Sequence, residues 1–296
     1  MKKLLSLLAA VVLTVTCAFA LVGCGESSAR VKVIDVNLSE IEHYGIAVSK
    51  TNNDLLTTIN DLLEEKADDV DAIIAKYIGT GEDTETDFPA VEGVVTYTDS
   101  MAGNNNYLVM ATDAPFEPYE FRVGNGYAGI DIEIGKMIAN KLGKTLAIKQ
   151  TQFDTICTVV NQGGADIGLA GLTITETRRA TVNFSSPYQD AYQVLVVPAE
   201  NTTFDNKTSA EILEILRNME EGTKAGSQAG TTGAFFIIGD MEDEDGFGFE
   251  GFPNLEYKSY TTHADAVRDM LNGSVEFCVV DNAVAKSIVA EINKAS

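Results

Sequence analysis

The chain has 296 residues, with 44 Asp and Glu against 21 Lys and Arg and a formal net charge of −23. A surface so acidic excludes nucleic acid and other polyanions as partners. With 2 histidines, 4 cysteines and no close Cys/His spacing, the composition also argues against a zinc site, and no cofactor motif stands out.

Lys2 and Lys3, an apolar run from Leu4 to Leu21 and the stretch LVGC (Leu21–Cys24) have the form of a secretory signal ending in a bacterial lipobox. The run is short for a membrane-spanning helix. The expectation is that residues 1–23 are removed and Cys24 is lipidated. Residues 24–30 would then tether an extracytoplasmic protein to the bacterial cell membrane. Next come VKVIDV, a turn, and HYGIAV (43–48), which reads as a short apolar strand running into a helix that begins with SKTNNDLL. Residues 79–106 are rich in Gly, Thr, Asp and Asn and read as a linker, with EGVVTYTD as a candidate edge strand.

From Tyr107 onward strands and helices alternate. YLVMA (107–111) is a strand, and IDIEIGKMIANKLG a helix with Ile130, Ile134, Met137, Ile138 and Leu142 on one stripe. TLAIK, DIGLAG (166–171) and YQVLVVP (192–198) are strands, with FDTICTVVNQ and TETRRATV as helices between them. Thr208 and Glu211 form a capping box for EILEILRNM. KAGSQ, LEYKSY and VEFCVV then alternate with helices opening near Thr232, His263 and Asn282. This alternation predicts α/β architecture with two sheets. Cys157 and Cys278 lie in apolar patterns and are expected as buried free thiols. The acidic loop GDMEDEDGFGFEGF (239–252) fails as a calcium loop: with Gly246 at the invariant glycine, Met241 and Phe252 fall where carboxylates are needed.

In open α/β sheets ligands bind beyond the carboxyl ends of the strands. Thr112, Asp113 and Phe116 follow the first of these strands. Leu172, Thr173, Ile174 and Thr175 follow DIGLAG, with Arg178 one turn into the next helix. Gly230, Thr231, Thr232 and Gly233 follow KAGSQ, and Asp281 follows VEFCVV. Arg178 and helix amides suit a carboxylate, and Asp281 suits an ammonium, so together they suit a zwitterion. Taken singly each has a plainer reading: Arg178 as a surface arginine, Asp281, Thr173 and Thr175 as caps or turn residues, Phe116 and Phe153 as core. GTTG lacks the lysine and spacing of a phosphate loop.

ATDAPFEPYEF, GIDIEIGKMIANKLG and QFDTICTVVNQGGADIGLAGLTITETRRATVNFSSPY together resemble the first lobe of polar amino-acid-binding proteins of ABC importers. SQAGTTGAFF and HADAVRDMLNGSVEFCVVDNAVAKSIV resemble the second lobe. The resemblance implies a two-lobed periplasmic-binding-protein-like type 2 fold, each lobe a mixed, mostly parallel sheet flanked by helices, joined by two hinge strands. It implies that Arg178 clamps an α-carboxylate with the amides of Thr173 and Thr232. Asp281, Thr173 and the Gly171 carbonyl would take the α-ammonium. Phe116 and Phe153 would sandwich the side chain, with Asp113 and Gln228 near its tip and Ala170 and Thr231 completing the ligand shell.

In that family the chain returns to the first lobe after the Asp-Asn helix, through a YGIAV-type strand and further helices. Here that piece stands at residues 31–78, so the order reads as circularly permuted. Lobe 1 is then expected at 46–191, including the linker, and lobe 2 at 30–43 with 194–296, with hinges near 44–46 and 189–193. The implied function is capture of a polar L-amino acid, leaning basic or glutamine, and delivery to a membrane ABC permease by a monomer. Two other readings stay open: a dehydratase-type enzyme acting on a cyclic amino-acid precursor, and a ligand-sensing module. Against the enzyme, no His or Cys is found among the strand-tip residues to serve as general acid, so no catalytic residue is expected.

Overall fold

The computed structural model describes residues 29–79, 88–240 and 248–294. The expected signal, Cys24, most of the tether, part of the 79–106 linker and half of the acidic loop lie outside the described residues.

The chain opens with β1 (Val31–Ile34), β2 (Glu42–Tyr44), β3 (Ala47–Ser49), α1 (Asn53–Glu65) and α2 (Ala67–Ile78). The middle runs β4 (Val94–Thr96), β5 (Tyr107–Thr112), β6 (Phe121–Val123), β7 (Gly126–Ala128), α3 (Ile130–Lys141) and β8 (Thr145–Gln150). It continues through α4 (Ile156–Asn161), β9 (Ile167–Gly168), α5 (Glu176–Thr181), β10 (Val182–Phe184) and β11 (Gln189–Ala191). The last part holds β12 (Gln193–Pro198), α6 (Ser209–Arg217), β13 (Thr223–Gln228), α7 (Thr232–Ile238) and β14 (Leu255–Tyr260), then α8 (His263–Leu271), β15 (Phe277–Asp281) and α9 (Asn282–Lys294). Side chains that accept the first free amides start several helices: Asn52 for α1, Thr175 for α5, Thr231 for α7 and Thr262 for α8. The Thr208–Glu211 capping box is present at α6.

Two sheets form two lobes. One has the order β10-β3-β9-β5-β8-β4, the other β1-β12-β15-β13-β14. In each, the central strands pair in parallel and one flank antiparallel: β5 lies between β9 and β8, and β13 between β15 and β14, all parallel. The chain passes between sheets twice, and the two passages pair with each other. β2 runs antiparallel to β11, with Tyr44 opposite Gln189 and Glu42 opposite Ala191.

Several expectations need correction. YGIAV is not one strand but two short ones: at Gly45 the amide turns to the Leu172 carbonyl (3.0 Å), so β2 serves the crossing and β3 the sheet. The segment after it forms two helices, meeting at Lys66. DIGLAG is a strand only at Ile167–Gly168, because the chain leaves the ladder as it approaches Gly171, which has φ +55°. The β6–β7 hairpin, β10 and β11 carried too little periodicity to be read. Cys278 is buried but Cys157 only half-buried, since α4 is a short surface helix. The edge-strand reading holds: β4 pairs in parallel with β8.

Aromatic packing holds the first helices within their own lobe. Phe88 meets the ring of Tyr77 in α2 at 4.4 Å between centroids and that of Phe121 at 6.2 Å, which pins α2 to the β6–β7 hairpin. Among the described residues no helix is long and apolar enough to cross a membrane.

Candidate functional site

The carboxyl ends of β5, β9, β13 and β15 meet at the seam, as the strand-tip argument requires. Gly171 lies at its centre. A Cβ there would stand 2.6 Å from Phe116 Cε1 and 3.2 Å from Tyr44 Cε2, so glycine is needed both for its positive φ and for this approach. Its amide donates to Asp131 Oδ2 at 2.9 Å, and Tyr188 donates to the other oxygen at 2.8 Å, which fixes the loop from behind. The side chain of Ala170 is buried in the apolar cluster with Leu172, so this residue offers the site only its backbone.

Arg178 sits one turn into α5, whose start is set by the Thr175 cap. Its Nη1 donates to the Thr173 carbonyl at 2.7 Å and its Nη2 to the Gly230 carbonyl at 3.0 Å, which joins the two lobes. The guanidinium carbon lies 5.1 Å from the centre of the Phe153 ring. Burial lowers its pKa, while the negative fields of Glu42 and Asp281 oppose that shift. Among the described residues no carboxylate forms an ion pair with it, so its charge is free to receive an anion. Gly230 closes the seam: a Cβ there would come within 2.8 Å of Asp154 Cβ.

Asp281, at the end of β15, is buried. Its Oδ1 accepts from the Tyr44 hydroxyl at 2.7 Å and from Gln193 Nε2 at 3.1 Å. Asp113, at the end of β5, accepts from Gln228 Nε2 at 2.9 Å and the Phe153 amide at 3.0 Å through Oδ2, and from Gln150 Nε2 at 3.1 Å through Oδ1. Burial raises its pKa to about 6 against these bonds. Phe116 stacks on Tyr119 at 5.6 Å. Thr231 spends its hydroxyl locally, on the α7 cap and on the Gln228 carbonyl at 2.8 Å. Thr173 and Thr232 turn their hydroxyls inward, onto a residue that the sequence reading did not select.

That residue is Glu42 in β2, with 1% of its surface exposed. Its Oε2 accepts from the hydroxyls of Thr173 and Thr232, each at 2.7 Å, and its Oε1 from Gln193 Nε2 at 2.7 Å. It thereby ties the crossing strand to both lobes. Burial first, then the Asp281 charge, raises its pKa to about 7. His263 was also missed. It opens α8 at a strand tip, stacks on Phe116 at 5.8 Å between centroids, and neither ring nitrogen has a hydrogen-bond partner. Burial alone lowers its pKa to about 3, so the ring is neutral. The signal for His263 was its place in chain order after LEYKSY. Glu42 gave none, since it precedes an apolar strand like any polar residue at a turn. Among the described residues no group of His, Cys, Asp and Glu has the arrangement of a metal site.

Residues 108–288 match the bacterial extracellular solute-binding proteins, family 3. The chain belongs to this family. It is 28% identical over 114 residues to the arginine-binding extracellular protein ArtP of Bacillus subtilis (strain 168), covering 36% of this chain and 45% of that one. It is 26% identical over 181 residues to a probable histidine-binding protein of Neisseria gonorrhoeae, covering 61% of this chain and 60% of the other. The matched part thus spans about half of these curated relatives. Among solved structures, an ancestral arginine-binding protein bound to glutamine matches with a TM-score of 0.54 and 32% identity, over 64% of this chain and 76% of that one. The two-lobed α/β architecture expected from the sequence is that of these amino-acid-binding proteins.

Proposed function

We propose that this protein captures a polar L-amino acid between its two lobes outside the cell membrane and delivers it to an ABC permease. The observation that carries this reading is a complementary pair of charges at one seam. Arg178 is a half-buried cation with no carboxylate partner among the described residues, and Asp281 is a buried carboxylate on the facing lobe. An α-carboxylate and an α-ammonium satisfy both at once, which favours the closed arrangement because only that arrangement presents both groups. Asp113, with Gln228 across the seam, favours a side chain ending in hydrogen-bond donors: arginine, lysine, histidine or glutamine. Like-charge repulsion at Asp113 disfavours glutamate and aspartate. The names of the relatives, arginine- and histidine-binding, support the same class. The buried His263, the histidine nearest the strand tips, has no polar partner through which to move a proton.

On this reading the chain order is circularly permuted. The match at 108–288 leaves out β1 to α2, yet β3 lies between β10 and β9 inside the sheet built by the matched part. The ends are adjacent as well. The amides of Arg30 and Val31 both donate to Asn293 Oδ1, at 2.8 and 3.2 Å, so a short link would restore the order of the relatives. Lobe 1 is then 46–191 and lobe 2 is 30–43 with 194–296, hinged near 44–46 and 189–193. Residues 1–23 act as signal and Cys24 as the lipidated anchor of a monomer. Thermal-shift measurement against the common amino acids tests the function. Stabilisation by arginine, lysine, histidine or glutamine at millimolar concentration is expected, and stabilisation by none of them overturns it.

A further inference from the structure

Glu42 and Asp281 bring two buried carboxylates to one place, where both accept from a single side-chain nitrogen. Gln193 Nε2 has two protons but lies within 3.2 Å of three acceptors, Glu42 Oε1, Asp281 Oδ1 and Thr232 Oγ1. The remaining donors are the hydroxyls of Thr173 and Thr232 on Glu42, and for Asp281 the Tyr44 hydroxyl and its own backbone amide. Among the described residues neither carboxylate has an ion-pair partner. Arg178, the cation whose field reaches both, spends its two terminal nitrogens on backbone carbonyls. Tyr119 is the other titratable group facing Asp281, and it is neutral. His43, next to Glu42 in β2, faces away and pairs with Asp190 at 2.7 Å. Two like charges held this close in a dry site cannot both stay ionised without a cation.

We infer that Glu42 is a second anionic ligand for the α-ammonium, and that without amino acid the Glu42–Asp281 pair holds one proton which the incoming ammonium displaces. The inference rests on the amino-acid-binding reading above. Protons and charge balance: the ammonium arrives as R–NH3+, the pair loses one H+ to solvent, and a site that held one net negative charge holds two, countered by the ligand cation. The hinge strand would thereby sense occupancy directly, since Glu42 lies in the segment that crosses between the sheets. The raised pKa of both acids, caused first by burial and for Glu42 next by its neighbour, agrees with a proton held near neutrality.

Titration calorimetry of the full protein with L-glutamine and L-arginine, at about pH 6 in phosphate and in bis-Tris, reads the protons exchanged. Glutamine brings no second charge, and Asp113→Asn removes the other strand-tip carboxyl that titrates near this pH. The expected result is release of about one proton per glutamine bound, and Glu42→Gln, titrated at ligand concentrations high enough to saturate its weaker site, should lose most of that release. In Asp113→Asn, which cannot itself release a proton, most of the release with glutamine should persist. Equal heats in the two buffers, or the same release from Glu42→Gln as from the unaltered protein, overturn the inference while leaving the binding function intact. No heat with either amino acid overturns the binding reading and the inference with it. Should Glu42→Gln fail to fold, the glutamine affinity of Asp113→Asn between about pH 5.5 and 8 decides: weakening toward acid supports the displaced proton, and a flat profile overturns it.

Discussion

Gln228 Nε2, at the tip of β13, donates a 2.9 Å hydrogen bond to Asp113 Oδ2, at the tip of β5, across the seam between the two sheets. Neither residue's neighbour in sequence brings it there; the meeting depends on closure of the lobes. A ligand side chain ending in donors competes with Gln228 for that carboxylate. Asp113→Asn keeps the shape and removes the charge. Affinity for arginine should fall by about 1.5–3 kcal/mol, the usual worth of a hydrogen bond to a charged group, and affinity for glutamine by less. Calorimetric titration with both ligands checks this. Equal losses would remove Asp113 from the side-chain end of the site.

Arg178→Ala removes the cation and also the tie between the Thr173 and Gly230 carbonyls. The loss in affinity should be about 2–5 kcal/mol, much of it from leaving the ligand carboxylate buried without a partner. Arg178→Lys should restore little, because an ammonium cannot present the planar fork that reaches two carbonyls and a carboxylate together. Unchanged affinity in Arg178→Ala would place the ligand elsewhere.

Gly171→Ala introduces a Cβ at φ +55° and at 2.6 Å from Phe116 Cε1. The backbone strain alone should cost about 1–3 kcal/mol of stability. Displacement of Phe116, which lies between Tyr119 and His263, should weaken binding further. A thermal melt with and without saturating ligand separates the two effects: a lower melting temperature in both states, with a smaller ligand-induced rise.

The strand-tip residues were legible because strand direction and chain order alone place Asp113, Thr173, Arg178, Thr232 and Asp281 at one end of their sheets. The α/β alternation and the two-sheet division were legible in the same way. Glu42 was not, for a physical reason. Its strand is three residues long and serves as a crossing, and so short a segment shows no period that would tell an inward carboxylate from a turn residue. The break at Gly45 was hidden likewise: alternation continues through YGIAV while the hydrogen bonds change sheets. His263 read as a helix start, which it is, and only the packing of Phe116 against it reveals a second role. Residue types predicted the chemistry of the strand tips; the crossing had to be seen folded.

The unliganded protein should lose stability as pH rises through neutrality. Glu42 is raised from 4.5 to about 7, Asp113 from 3.8 to about 6 and Asp131 from 3.8 to about 6, each chiefly by burial. For each, the folded chain binds its proton more tightly than the unfolded one, so the stabilisation is complete below the unfolded value and is lost as pH climbs through 6 to 7. His263 acts in the opposite sense. Lowered from 6.5 to about 3, it is held neutral, so its contribution is complete above 6.5 and is lost as pH falls toward 3. Three carboxylates outweigh one histidine, and the melting temperature without ligand should be higher at about pH 5.5 than at about pH 7.5. His263→Phe removes the opposing group, so the difference between the two pH values should widen. The same substitution removes two buried nitrogens that have no partner, and should itself be neutral or stabilising by up to about 1–3 kcal/mol. Melting curves of both proteins at both pH values check this. A melting temperature that rises with pH in the unaltered protein would mean that the buried acids are ionised throughout.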